Sequence, residues 1–458
     1  MIQPADHKYS CWDKNTLILL GLGLFFIIVA VLNKFFAHPN LILSRHQATL
    51  PLVDTIVFLF SLGFICLGLF LKRLSKIPPQ TFIFITLLVF IVLASIAVIT
   101  PPTRSQDLYW NLLLAKGVST YHLNPYSVAP NAFPADPLAT LILDWFSLPM
   151  IYGPLWVLVL AGITAIFHSI PLMIISTKLL MLIALGLSGL ALWKIMLIHN
   201  FSPAKRNIIL ILLAWNPFIW QNALIDAHND TFILLSIIAS YYFLLKKNYN
   251  LSIIVLIIGG FIKFITWPLI IIPLWQLWQA QKNKPKVLIN IALLFLLFVL
   301  LGVMLYLPFG SPWDNLQNLN REAQIRAAWV NCLLPAAILY HYLEPAQLRL
   351  IGLFLFLTTL IILVIRKKPL LAYVLPFIVF FIFGTPWFES WYLLWILPLL
   401  ALISRPWLLI ILTIFSLVIV EVMNVLFASI FLLIFVPALW LLYRVTLKIT
   451  NKNYQTLP

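Results

Sequence analysis

The chain has 458 residues, of which 63% are hydrophobic and only 9% are charged. No soluble core of this length hides so much apolar surface, so a water-soluble enzyme is excluded and a polytopic membrane protein is expected. The formal net charge of +16 would point a soluble protein toward nucleic acid; here the basic residues form short clusters between apolar runs, so no nucleic acid is expected and positive-inside topology is the simpler cause. The opening "MIQPADHKYSCWDKN" lacks a basic n-region and a small-residue cleavage site, so the apolar stretch after it is expected to be a first span and not a cleaved signal. Cys11, Cys66 and Cys332 are scattered without metal spacing, and structural disulfides are not expected.

Apolar runs lie at roughly 15–36, 51–71, 81–100, 171–198, 207–220, 230–245, 251–264, 267–279, 287–308, 348–365, 370–384, 391–403, 407–423 and 425–443. Several fall short of the ~20 residues that cross a bilayer. The expected architecture is an all-α polytopic bundle of about 12–14 transmembrane helices, some broken or re-entrant. The chain divides into N-terminal helices (1–100), a long loop (101–170), central helices (171–308), a second long loop (309–347) and C-terminal helices (348–458). Basic clusters occur at Lys72/Arg73/Lys76, Lys205/Arg206, Lys246/Lys247, Lys282/Lys284/Lys286, Arg366/Lys367/Lys368 and Arg444/Lys448/Lys452. All fall on one side if both termini are cytoplasmic and the run at 154–167 lies in the interface. Of the thirteen acids, only Asp6 and Asp13 then fall on the cytoplasmic side. Asp54 and Glu421 fall near outer span ends, and the rest lie in outer loops. Either acids avoid the basic face, or the outer face carries an acidic working site.

Both long loops fall on that outer face, and connections of this length usually have a functional reason. In "TPPTRSQDLYW" (100–110), Asp107 stands where an apolar run ends, either as a plain helix-end charge or as a working carboxylate. "YHLNPYSVAPNAFPADP" and "DWFSLPMIYGPLW" combine turn residues with aromatics, which fits an aromatic belt or a cover over a lipid-linked substrate. In "WNPFIWQNALIDAHNDTFILL" (215–235), Asp226, His228, Asn229 and Asp230 gather between two apolar runs. Polar groups there are costly unless paired or solvated. They could bind sugar hydroxyls or a phosphate; D-x-H-x-D could hold a metal, and Asp230 could cap the next helix. Lys263 in "GGFIKFITWPL" interrupts an apolar stretch, either snorkelling or pairing with those carboxylates or a lipid phosphate. Arg104, Lys116, Arg321 and Arg326 are the other outer cations near the loops, and together could hold a phosphate diester. Lys178 lies within an apolar run. In "FGTPWFESWYLLWILP" (383–398), Trp387, Trp391 and Tyr392 can anchor the interface or stack on sugar, with Glu389 beside them.

The order of these segments resembles polyprenyl-phosphate-mannose-dependent mannosyltransferases of the class C glycosyltransferase (GT-C) superfamily. The resemblance spans roughly residues 100–400. It rests on "SQDLYWNLLLAKGVSTYHLNPY", "YGPLW", "DAHND", "GGFIKFITWPLIIIP" and "PWFESWYLLWILP". Gln106 precedes Asp107 where Ser-Asp is more usual, and no Gly immediately precedes Asn-Pro-Tyr. The resemblance implies a GT-C-like bundle with long outer loops and interfacial helices. It further implies a plasma-membrane enzyme moving mannose from a polyprenyl-phosphate donor to a lipid or glycan acceptor at the non-cytoplasmic face, with inversion. Asp107 would be the base, and Tyr109, Asn124, Tyr126, Tyr152 and Trp391 join the substrate-binding candidates. A phosphate is itself a good leaving group, so no cofactor is expected, while a divalent metal is left open. The rival reading, a lipid transporter or flippase, calls for midplane polar residues and inverted repeats. Here polar residues collect at one face, which favours an enzyme. A third reading, a non-catalytic subunit, calls for an Asp107 buried and paired away from any cavity.

Overall fold

The computed structural model describes residues 13–36, 50–142, 145–327, 334–340, 342–385, 388–404 and 406–416. It is 79% helix, with no strand among the described residues. Helices suit a bilayer, because each satisfies its backbone polar groups within its own segment. The chain is an all-α polytopic membrane protein.

The N-terminal helices are α1 (Lys14–Phe36), α2 (Leu50–Leu74) and α3 (Pro79–Ile99), and α1 packs on both others. The first long loop is itself folded: it holds α4 (Asp107–Ser119) and α5 (Pro154–Ile166), packed together. The expected interfacial run at 154–167 is thus a helix of 13 residues. Next come α6 (Ile170–Ile198), α7 (Pro203–Ala214), α8 (Pro217–Ile225), α9 (Asp230–Leu245) and α10 (Tyr249–Gly260). A 3-10 segment at Phe264–Ile270 leads into α11 (Ile271–Ala280) and α12 (Lys284–Tyr306). The second long loop holds α13 (Pro312–Ala327) and α14 (Leu334–Tyr340). The chain continues through α15 (Pro345–Ile365), α16 (Pro369–Ala372), α17 (Leu375–Phe383), a 3-10 turn at Ser390–Trp395, α18 (Leu397–Ile403) and α19 (Pro406–Ile414).

Among the described residues, α1, α3, α6, α12 and α15 are long and apolar enough to cross a membrane, and the bent pair α7–α8 makes a sixth candidate. The expected 12–14 spans counted shorter runs as well; α5, α9, α10 and the stretches 264–280 and 369–383 are apolar helices of only 10–17 residues. The breaks have local causes. Asn216 and Pro217 stop α7, and the chain turns by 41° into α8. The Asn216 carboxamide accepts from the amides of Phe218 and Ile219 and donates to Thr413, so the break is fully hydrogen-bonded. From Trp220 to Ile225 the helix widens to π geometry, a feature common at functional sites. Asp54 and Glu421 lie where side chains are not described, as do Asp6 and Asp144.

Candidate active site

The site is built where α3 hands over to α4. Pro101 and Pro102 end α3, and Asp107 is the first residue of α4, where a negative charge complements the helix dipole. The approach to it is fixed at several points. The Lys178 ammonium, fully buried on α6, donates to the carbonyls of Ala97 (3.4 Å) and Thr100. The Asp226 carboxylate accepts from the amides of Thr103 (2.9 Å) and Arg104 (3.1 Å) and from Gln221 Nε2 (2.7 Å). Ser105 Oγ accepts from the Asp107 amide, and Asn111 Nδ2 donates to the Asp107 carbonyl. Asn111 Oδ1 in turn accepts from Trp156 Nε1 at 2.9 Å, which ties α4 to α5. Asp226 is therefore a support for the segment carrying Asp107.

The "DAHND" turn follows the π segment. Ala227 adopts φ 53°, a left-handed conformation that is costly for a residue with a Cβ and is found where surrounding structure enforces it. The turn brings His228 Nδ1 to 3.6 Å from Asp107 Oδ2, and the imidazole stacks on the Trp391 ring at 4.0 Å between centroids. Asp107 is buried, 8% exposed, with its carboxylate facing the imidazole of this turn.

Lys263 completes the group. Two glycines set its position by allowing close approach, of backbone at Gly153 and of the Trp267 ring at Gly260. A Cβ on Gly153 would lie 2.1 Å from the Phe261 carbonyl oxygen, and one on Gly260 would lie 1.7 Å from Trp267 Nε1. The Gly153 and Leu155 amides donate to the carbonyls of Ile262 (2.9 Å) and Phe261 (3.1 Å), so "YGPLW" and "GGFIK" form one seam. From it the Lys263 ammonium reaches Asp230 Oδ1 at 2.8 Å, inside a cage of Tyr152, Tyr392 and Trp395 rings with centroids 4.9–5.4 Å away. Trp395 Nε1 donates to the same oxygen at 2.6 Å. Asp230 begins α9 but makes no capping hydrogen bond; Lys263 and Trp395 are its partners.

The loop residues form the floor. Tyr126 Oη donates to the Tyr152 carbonyl at 3.0 Å, while Asn124 accepts from the Tyr126 amide and donates to the Phe309 carbonyl. Asn315 and Asn318 of α13 donate to the carbonyls of Tyr152, Tyr126 and Met150, clamping the second loop onto the first. Tyr109 and Tyr152 are buried near the carboxylates. Burial first, then the charge of Asp226 for Tyr109 and of Asp107 and Asp230 for Tyr152, pushes both phenols above their usual range. Both thus stay neutral, and remain hydrogen-bond donors, at physiological pH.

The structure therefore brings Asp107, His228, Asp230, Lys263, Tyr152 and Trp391 together, with Asp226, Asn124, Tyr126 and Tyr109 as their frame. Arg104 is half-buried beside them, Glu389 is half-buried at the start of the 390–395 turn, and Arg321 is exposed on α13. The Arg326 side chain and Trp387 lie outside the described residues. Lys116 is engaged elsewhere, on Asp136 at 2.5 Å. Sequence reasoning did not single out Asn111, Gln221, Trp395, Asn315 or Asn318. Only Asn111 had a readable signal, standing one helical turn after Asp107.

Three consecutive residues each carry a buried polar atom without a partner among the described residues: His228 Nε2, Asn229 Nδ2 and Asp230 Oδ2. Such atoms are nearly always satisfied in folded proteins, so three in a row beside Asp107 mark where a polar ligand would supply the partners. Among the described residues, no group of three or more His, Cys, Asp and Glu side chains is placed to hold a metal ion. In chain terms, the family model described as "Alpha-(1->6)-mannopyranosyltransferase, N-terminal domain" matches residues 16–279, more than half of the length. That stretch contains Asp107, the "DAHND" turn and Lys263. No curated protein and no solved structure matches the chain.

Proposed function

Because the chain belongs to the alpha-(1->6)-mannopyranosyltransferase family and is a membrane mannosyltransferase, we propose that it transfers mannose from a polyprenyl-phosphate donor to a lipid or glycan acceptor, in alpha-(1->6) linkage. The three partnerless polar atoms at His228, Asn229 and Asp230, in a turn whose imidazole faces the Asp107 carboxylate, carry this reading.

In the proposed reaction, Asp107 Oδ2 takes the proton of the acceptor hydroxyl. The acceptor oxygen bonds to the anomeric carbon as the bond from that carbon to the phosphate oxygen breaks. The bonding pair departs with the polyprenyl phosphate. Attack opposite the leaving group inverts the anomeric centre, so a β-configured donor gives an α product. His228 holds Asp107 in place, and its Nε2 with Asn229 Nδ2 faces the sugar hydroxyls. The Lys263 ammonium has three N–H donors and gives one to Asp230. The others, with Arg104, stabilise charge growing on the phosphate. The departing phosphate is a stable anion, so a metal is not chemically required; a divalent ion remains compatible with this scheme.

The site lies at the ends of α3 and α9 remote from Lys76 and from Lys246/Lys247. By the positive-inside rule this favours the non-cytoplasmic face, and a plasma-membrane location with both termini cytoplasmic is part of the same proposal. The family match is to a transferase and the polar residues gather at one end of the helices, so the transferase reading is a better fit than a transporter. Mass spectrometry of lipid-linked sugars and envelope glycans in a deletion strain tests it. An acceptor one hexose short is expected to accumulate; unchanged glycans would contradict the proposal.

A further inference from the structure

At the end of α9 and α10 remote from Asp107, a cleft of about 340 Å³ opens between the α9–α10 turn and the α11–α12 turn. It is lined by Lys246, Lys247, Tyr249, Asn250, Gln281 and Asn290. Both lysines are exposed, and Lys282, Lys284 and Lys286 stand on the facing turn. The stretch from Thr231 to Trp313 contains no Asp or Glu, so this charge has no acidic partner in its own sequence neighbourhood.

The cleft is held open by its own bonds. Asn250 and Asn290 exchange two carboxamide hydrogen bonds, at 3.2 and 2.8 Å, joining α10 to α12. Lys247 takes φ 58°, and the amides of Lys247 and Asn248 return to the carbonyls of Leu244 and Phe243, which fixes the turn. α10 begins at Tyr249, so the first-turn amides of Tyr249 and Asn250 have no acceptor within the helix and suit an anion. Beside it, Lys284 lies 4.6 Å from the Trp278 ring centroid, an aromatic placement typical of the bilayer boundary. Past Asn290, along α12 away from the cleft, Leu293, Leu296 and Leu300 are exposed, a surface that continues from the polar cleft into hydrocarbon.

We propose that this cleft binds the phosphate of an anionic phospholipid headgroup, with the acyl chains lying along α12. The lipid clamps the α9–α10 hairpin to α11–α12, behind the seam that carries Lys263. The polar-to-apolar continuity selects a lipid over free phosphate. This inference is independent of the proposed reaction.

Native mass spectrometry of the full chain, purified with equal phosphatidylglycerol and phosphatidylcholine, tests it. Retained lipid is expected to be mainly phosphatidylglycerol. Lys246→Gln with Lys247→Gln is expected to weaken its retention about 25-fold, at roughly fivefold per lysine removed near an anionic headgroup. Lys72→Gln with Arg73→Gln removes the same charge at another basic turn and is expected to leave retention unchanged. No preference for phosphatidylglycerol, or equal loss in both double variants, would overturn the proposal. So would a thermal stabilisation by inorganic phosphate in phosphatidylcholine alone that equals the one given by phosphatidylglycerol.

Discussion

Replacing Asp107 by Asn is expected to lower mannosyl transfer by about 10²- to 10⁴-fold, the usual contribution of a positioned general base. The backbone of Asp107 holds the start of α4, through its amide on Ser105 Oγ and its carbonyl on Asn111. Its side chain faces His228 at 3.6 Å, and its charge reaches the Tyr152 phenol. An isosteric amide preserves the side-chain volume and those backbone bonds, so it is expected to keep the fold while removing the proton acceptor. Asp107→Glu keeps the acceptor but moves it by about one bond length, so it is expected to retain an intermediate activity. Turnover measured beside thermal unfolding separates the two effects. An Asn variant as active as the wild type would remove Asp107 from the chemistry.

Lys263→Met is expected to be costly for a different reason. Asp230 is fully buried and has Lys263 as its charge partner at 2.8 Å. Breaking a buried pair from one side leaves an uncompensated charge, at about 3–5 kcal/mol. Loss of activity in this variant alone would therefore not show a role for the ammonium. Lys263→Met combined with Asp230→Asn removes both charges and is expected to recover most of the lost thermal stability. Transfer is expected to stay low in the double variant, because Arg104 alone then offsets charge on the leaving phosphate. A double variant that regains wild-type turnover would make Lys263 purely structural.

Much of this arrangement is legible in sequence because it depends on local chemistry. Prolines mark helix starts at Pro79 and Pro154, and the short apolar run at 154–167 forms a helix of 13 residues. Asp107, "DAHND" and Lys263 stand out because charge is rare in such a chain, and the family match covers all three. Lys263 was open to a carboxylate or a phosphate partner; the fold supplies Asp230. Span number was less legible, since hydropathy does not distinguish a crossing helix from one broken at Asn216–Pro217 or at Gly260. The framework bonds were not legible either. Asp226 reaches residues 103 and 104 across more than 120 positions, and Asn315 reaches Tyr152 across 163. Composition does not carry pairings of that range, and an asparagine in a polar helix such as α13 has no signature separating a clamp from a solvated face.

Transfer by purified protein in liposomes, supplied with a mannoside acceptor and either polyprenyl-phosphate mannose or nucleotide-linked mannose, bears most directly on the site built around Asp107. The expected result is an alpha-(1->6) mannoside and free polyprenyl phosphate in equal amounts, from the lipid donor alone and lost in Asp107→Asn. Product from the nucleotide donor, or none from the lipid donor, would contradict it.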